Sequence, residues 1–195
     1  MTEQARILHE IQQFVLTHMA QNDAAHDTGH IRRVVALART IAAAYPEADL
    51  FRVELLAWLH DMNDDKLASN VGAASVDGFL RSIGVADSDR QFIEEGLPRI
   101  SYRKHPRLTA EIPLEIRIVQ DADRIDAIGA VGVARTFAYG GANHRGLEDS
   151  LAHFDEKLLL LYDLLSTEEG KRIALPRHRF LQAFYEQYCE ETAGL

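Results

Sequence analysis

The chain of 195 residues holds 9 histidines and 30 acidic residues, and in three places the two types, or several acids, crowd together beside an apolar run. The first group is His26, Asp27 and His30. The second is His60 and Asp61, followed by Asp64, Asp65 and Lys66, and the third is Asp121, Asp123, Arg124 and Asp126. Imidazole is a neutral donor near pH 7 and carboxylate supplies negative charge. Two of each would hold a divalent ion with its charge balanced and leave the other coordination positions to water. Taken singly, each group has a plainer explanation. An adjacent His-Asp pair is common at surfaces and helix ends, His26 and His30 share a helix face only if both are helical, and Asp121 and Asp123 suit a solvated turn. Their combination is more specific, because a polar side chain at the edge of a core face must find a partner, and a metal is one such partner.

The segments that must position these groups read as helices. Ile7, Leu8, Ile11, Phe14, Val15 and Met19 fall on one face by the three-and-four spacing. A second helix starts near Asp27 and carries Ile31, Val34, Val35, Ala38 and Ile41 until Tyr45 and Pro46 stop it. A third holds Phe51, Leu55, Leu56 and Leu59 and ends near His60, and shorter ones fit residues 73–83 and 87–100. Ile112, Leu114, Ile116 and Ile118 alternate as a buried strand would, but Ile112, Ile116 and Val119 also fit a helix and no second strand exists to pair with. The reading is therefore helical. Further helices are expected over residues 125–139, 151–165 and 168–190, the last interrupted by Pro176. No linker, low-complexity tract or repeat marks a boundary, so an all-α, single-domain chain is expected over residues 1–195.

Composition narrows the partners. With 21 Lys and Arg against 30 Asp and Glu the formal charge is −9, which opposes binding to nucleic acid or to anionic membranes through charge alone. A phosphate substrate stays open, since a bound dication inverts the local field. The single cysteine, Cys189, cannot form an internal disulfide or a cysteine-ligated metal cluster. The polar N-terminus and the lack of any apolar run near the roughly 20 residues of a membrane span lead us to expect a cytoplasmic protein.

The ordered pieces Gly29 to Val34 with His30, then Leu59, His60 and Asp61, then Val119 to Gly129 with Asp121, resemble the HD-domain metal-dependent phosphohydrolases. The context that includes Ala134 to Gly141 is similar to the small stand-alone bacterial members, and the likeness covers about residues 25–141, with weaker similarity in the C-terminal helices over residues 150–191. The resemblance implies an HD-type helical bundle in which His30, His60, Asp61 and Asp121 hold one divalent ion, be it manganese, cobalt, nickel, iron, zinc or magnesium. It selects His30 over His26, which becomes a residue behind the ligands or facing phosphate. It gives Asp64 the part of orienting the attacking water or moving its proton. Lys66 is the cation nearest that cluster and a candidate contact for a substrate phosphate, with Arg33 and Arg124 as further candidates. Arg33 and Arg124 fit structural ion pairs equally well. The cationic residues 99–107 suit either a flap over phosphates or a solvated loop. His105 is the only histidine between Asp61 and Asp121, which favours one metal over two. The implied activity is hydrolysis of a nucleotide, releasing pyrophosphate or phosphate; the alternative is a non-catalytic HD module that binds a nucleotide or a protein partner.

Overall fold

Residues 53–59 are all buried, so the helix that carries them lies at the centre and the neighbouring helices are arranged round it. The computed structural model describes residues 1–19, 28–62, 73–100 and 112–193. Among these residues there are α-helices and 3-10 turns and no strand. In chain order the helices are α1 (Glu3–Met19), α2 (Thr28–Ala42), α3 (Leu50–Leu59), α4 (Ala73–Ser82), α5 (Asp87–Ile100), α6 (Leu114–Asp126), α7 (Gly129–Ala142), α8 (Leu147–Glu156) and α9 (Glu168–Thr192). The protein is all-α, and none of these helices is long and apolar enough to cross a membrane.

Asp49 starts the central helix α3. Its carboxylate accepts hydrogen bonds from the backbone N–H of Phe51 and Arg52 at 3.0 and 3.2 Å, a cap that contributes about 1 kcal/mol. Helices α1, α2, α5 and α6 pack against α3, and α2 lies along α6. Leu55, Leu56 and Leu59 are fully buried in this contact and stabilise it by about 1.5–3 kcal/mol each. Glu54, the one charged residue on the buried stretch, is neutralised by Arg39 of α2, which donates to both carboxylate oxygens at 2.8 and 2.7 Å. A second layer forms where Phe137 of α7, Phe154 of α8 and Phe184 of α9 meet with ring centroids 5.7–6.0 Å apart.

The amphipathic spacing predicts α1 to α5 closely, and the ambiguous alternation before Asp121 is helical. Three boundaries differ. Instead of a helix over residues 125–139, α6 continues through Asp126, the chain breaks at Ala127 and Ile128, and α7 starts at Gly129, whose φ of 77° is left-handed and suits a residue without a side chain. Instead of a helix over residues 151–165, α8 begins earlier and is followed by 3-10 turns at Leu158–Leu160 and Tyr162–Leu164. The tighter winding stacks side chains three residues apart, which brings Leu158 and Leu161 to the core together. Finally, α9 runs unbroken through Pro176. The missing N–H costs one helical hydrogen bond there, and buried Ala174 and Leu181 hold the helix on either side.

Candidate metal centre

Three helices deliver the polar groups. Helix α2 presents His30 near its start, α3 ends with His60 and Asp61 following it, and α6 carries Asp123 and Asp126 on the side that faces α2. The two imidazoles point their Nε2 atoms at each other, 3.3 Å apart. Asp61 stands between them, with Oδ2 3.4 Å from His30 Nε2 and Oδ1 3.4 Å from His60 Nε2. Asp123 closes the open side, its Oδ1 3.5 Å from His30 Nε2 and 4.0 Å from His60 Nε2. The donor atoms of His30, His60 and Asp61 all lie within 4.8 Å of one another.

The separations among His30, His60 and Asp61 fit a shared ion, and Asp123 stands somewhat farther off. With metal–ligand bonds of about 2.1 Å, donors on a tetrahedral or octahedral centre stand about 3.0–3.4 Å apart. The outward nitrogens fit too. His60 Nδ1 donates to the backbone carbonyl of Ala57 at 2.9 Å, and His30 Nδ1 donates to Asp126 Oδ2 at 2.8 Å. Each bond places the proton on Nδ1, which frees the Nε2 lone pair for the cluster.

Asp126 is fully buried, and a carboxylate there must be well compensated. Arg33 Nε donates to its Oδ1 at 2.7 Å, Arg33 Nη2 to its Oδ2 at 3.1 Å, and Arg135 Nη1 to its Oδ2 at 2.8 Å. Burial alone would raise its pKa, but the bonds from His30 and Arg33 outweigh that and hold the carboxyl well below the usual range. His30 behaves in the complementary way. Burial works against its charged form, yet the bonds to Asp126 and Asp61 and the nearby charge of Asp123 push its pKa up from 6.5 to about 9. This shift favours the doubly protonated imidazole in metal-free protein near pH 7. Because the Nε2 proton must leave, metal affinity is expected to tighten about tenfold per pH unit as pH rises toward 9. The stability of the chelated protein runs the other way: His30 contributes fully below pH 6.5, and that contribution is lost as pH rises through about 9. Calorimetric titration across pH, with proton release read from buffers of different ionisation enthalpy, checks the first; melting in chelator checks the second. Flat profiles in both would contradict this account of His30.

Of the residues singled out in the sequence, His30, His60 and Asp61 come together, while His26, Asp64 and Lys66 lie outside the described residues, as do residues 101–107. Asp121 does not join the cluster. Its carboxylate is fully buried and accepts from the backbone N–H of Ser166 at 3.1 Å and from the N–H and hydroxyl of Thr167, each at 2.7 Å. Thr167 in turn caps α9 by accepting from Gly170 N at 3.0 Å, so Asp121 ties α9 to α6. Burial pushes its pKa up against these bonds. Arg124 is likewise turned into the core. It is 3% exposed, donates to the carbonyl of Leu164 at 2.9 Å and stands 3.6 Å from Asp121. Arg33 takes the bracing role of its two alternatives, on Asp126. Residue types put Asp123 and Asp126 in the third metal-capable group but give neither a role of its own, and they give Arg135 none. The usable signal was spacing: on a helix, residues three apart, such as Asp123 and Asp126, are about 60° apart in azimuth, whereas Asp121 and Asp123, two apart, are separated by about 160°.

The chain is similar in sequence and in structure to known proteins. A family model described as HD domain matches residues 28–128. YpgQ of Bacillus subtilis is 36% identical over 193 residues, covering 95% of this chain and 94% of that protein. The crystal structure of B. subtilis YpgQ in complex with ADP superposes with a TM-score of 0.86 at 32% identity, covering 99% of this chain and 98% of that one. A protein of Bacillus thuringiensis described as an HD-superfamily hydrolase superposes with a TM-score of 0.76 at 34% identity over 100% of both chains.

Proposed function

Because the chain belongs to the HD-domain family, we propose that it is a metal-dependent phosphohydrolase that hydrolyses a nucleotide. The observation that carries the reading is the pair of Nε2 atoms 3.3 Å apart with Asp61 between them. The ligands we assign are His30, His60, Asp61 and, in place of Asp121, Asp123. A divalent ion bound there would polarise a phosphoryl oxygen and lower the pKa of an attacking water. Manganese, iron, cobalt, nickel and zinc all suit two imidazoles and two carboxylates.

The chain's own residues supply the rest. Asp64, three residues beyond Asp61, is assigned to orient the water and take its proton, and Lys66 and His26 to contact phosphate. Electrostatics favour an anionic substrate in spite of the overall charge of −9. Asp61 and Asp123 cancel a dication, while Arg33 and Arg135 outnumber Asp126 by one positive charge. A nucleotide is the favoured substrate class because the similar YpgQ was crystallised with ADP, and such a substrate fits a cytoplasmic location.

The test is a panel of nucleoside mono-, di- and triphosphates and simple phosphate esters. Each is incubated with protein stripped by chelator and then given manganese, cobalt, nickel or magnesium, and phosphate and pyrophosphate are scored separately. Metal-dependent turnover of at least one nucleotide is expected, with the released product fixing which bond is cut. Asp64→Asn should retain the metal and lose turnover by about 100-fold or more. Nucleotide binding without turnover under every condition would overturn the enzymatic reading in favour of a binding module.

A further inference from the structure

The two histidines at the centre are oriented by different devices. His60 donates Nδ1–H to the carbonyl of Ala57, three residues back in the chain, so its outward nitrogen is held by backbone. The outward nitrogen of His30 is held by a side chain. Its Nδ1 meets a carboxylate 96 residues away in the chain, on α6, and that carboxylate is held in turn from α2 by Arg33 and from α7 by Arg135. Buried ion clusters of this kind add little net stability over apolar packing of the same volume. Stability therefore does not account for a fully buried Asp126 with two guanidinium partners. What the cluster fixes is the His30 ring.

We propose that Asp126 is a positioning residue, clamped by Arg33 and Arg135, that holds His30 in the ring orientation and Nδ1–H tautomer that turn Nε2 toward His60, Asp61 and Asp123. A neutral imidazole without this bond is free to turn over about its second side-chain torsion or to carry its proton on Nε2, and either change removes the lone pair from the cluster. Arg135 Nη1 lies 2.8 Å from Asp126 Oδ2 and 3.1 Å from His30 Nδ1. It therefore sets which of the two oxygens faces the ring, while the two-point contact of Arg33 stops the carboxylate from rotating. The role rests on the metal-site reading above for its purpose but not for its geometry.

Two measurements separate the two. In metal-free protein at pH 7, the Nδ1 proton of His30 is expected as a slowly exchanging, downfield nuclear magnetic resonance signal that is present in wild type and lost in Asp126→Asn. In cobalt-loaded protein, Asp126→Asn is expected to weaken affinity, read by chelator competition, by about 10- to 100-fold and to change the visible absorption bands of the ion. Arg135→Gln, which leaves Arg33 on Asp126, should fall between wild type and Asp126→Asn in both readouts and serves if Asp126→Asn does not fold. A retained proton signal, or cobalt affinity within about twofold of wild type with unchanged bands, overturns the proposal and leaves the metal site standing. Loss of the signal in a protein whose wild type binds no cobalt upholds the positioning and overturns the metal site instead.

Discussion

Asp123→Asn is expected to abolish divalent-metal retention and hydrolysis, whereas Asp121→Asn is expected to keep the metal and unfold at a lower temperature. The contrast follows from where the two carboxylates point on one helix. Asp123 Oδ1 stands 3.5 Å from His30 Nε2 on the open side of the cluster. Without its charge, only Asp61 opposes a dication among three remaining ligands. Asp121 faces the other way, into the N-terminus of α9, where it accepts from Ser166 and Thr167. An amide in its place presents an NH2 group to donors that need an acceptor, which costs about 2 kcal/mol, or about 4–8 °C in melting temperature for a chain of this size. Elemental analysis of the purified variants and calorimetry decide the matter. Metal lost from Asp121→Asn and kept by Asp123→Asn would restore the assignment made from the sequence.

That reversal marks how far residue types and spacing reach. The apolar periodicity located α1 to α5, because each buries an apolar stripe in the common core and such stripes are written in the sequence. His30 and the adjacent His60 and Asp61 were legible for the same reason: each sits where an apolar helix face meets polar residues. The segment from Asp121 to Asp126 offered three acids within six residues, and motif order alone could not say which one turned toward α2. The deciding fact was that α6 stays helical through all three, placing Asp123 and Asp126 on one face and Asp121 nearly opposite Asp123. The alternation at Ile112 to Ile118 obscured that continuity. Arg135 was beyond reach altogether, since its role exists only once the break at Ala127 and Ile128 folds α7 back beside α6.

Gly132→Ala is expected to destabilise the protein by about 3 kcal/mol, close to 6–12 °C in melting temperature, although the site is helical and alanine is the better helix former. A Cβ at this position would lie 2.2 Å from the carbonyl oxygen of Ala127 and 2.5 Å from its carbon. Both are backbone atoms of the residue that ends α6, so no side-chain rotation relieves the clash. Helix α7 would have to move off α6. That motion carries Arg135 away from Asp126, so the stability loss should come with weaker metal binding even though Gly132 itself touches neither. Gly78, on the exposed side of α4 with nothing within 4 Å of where an added methyl group would lie, provides the comparison. There the same substitution should stabilise by about 0.5–1 kcal/mol, because alanine loses less backbone freedom on folding. Urea denaturation of both variants measures the contrast. A gain at Gly132 equal to the gain at Gly78 would mean that the α6–α7 turn yields readily, and the close approach of the two helices could then no longer explain how Arg135 is kept on Asp126.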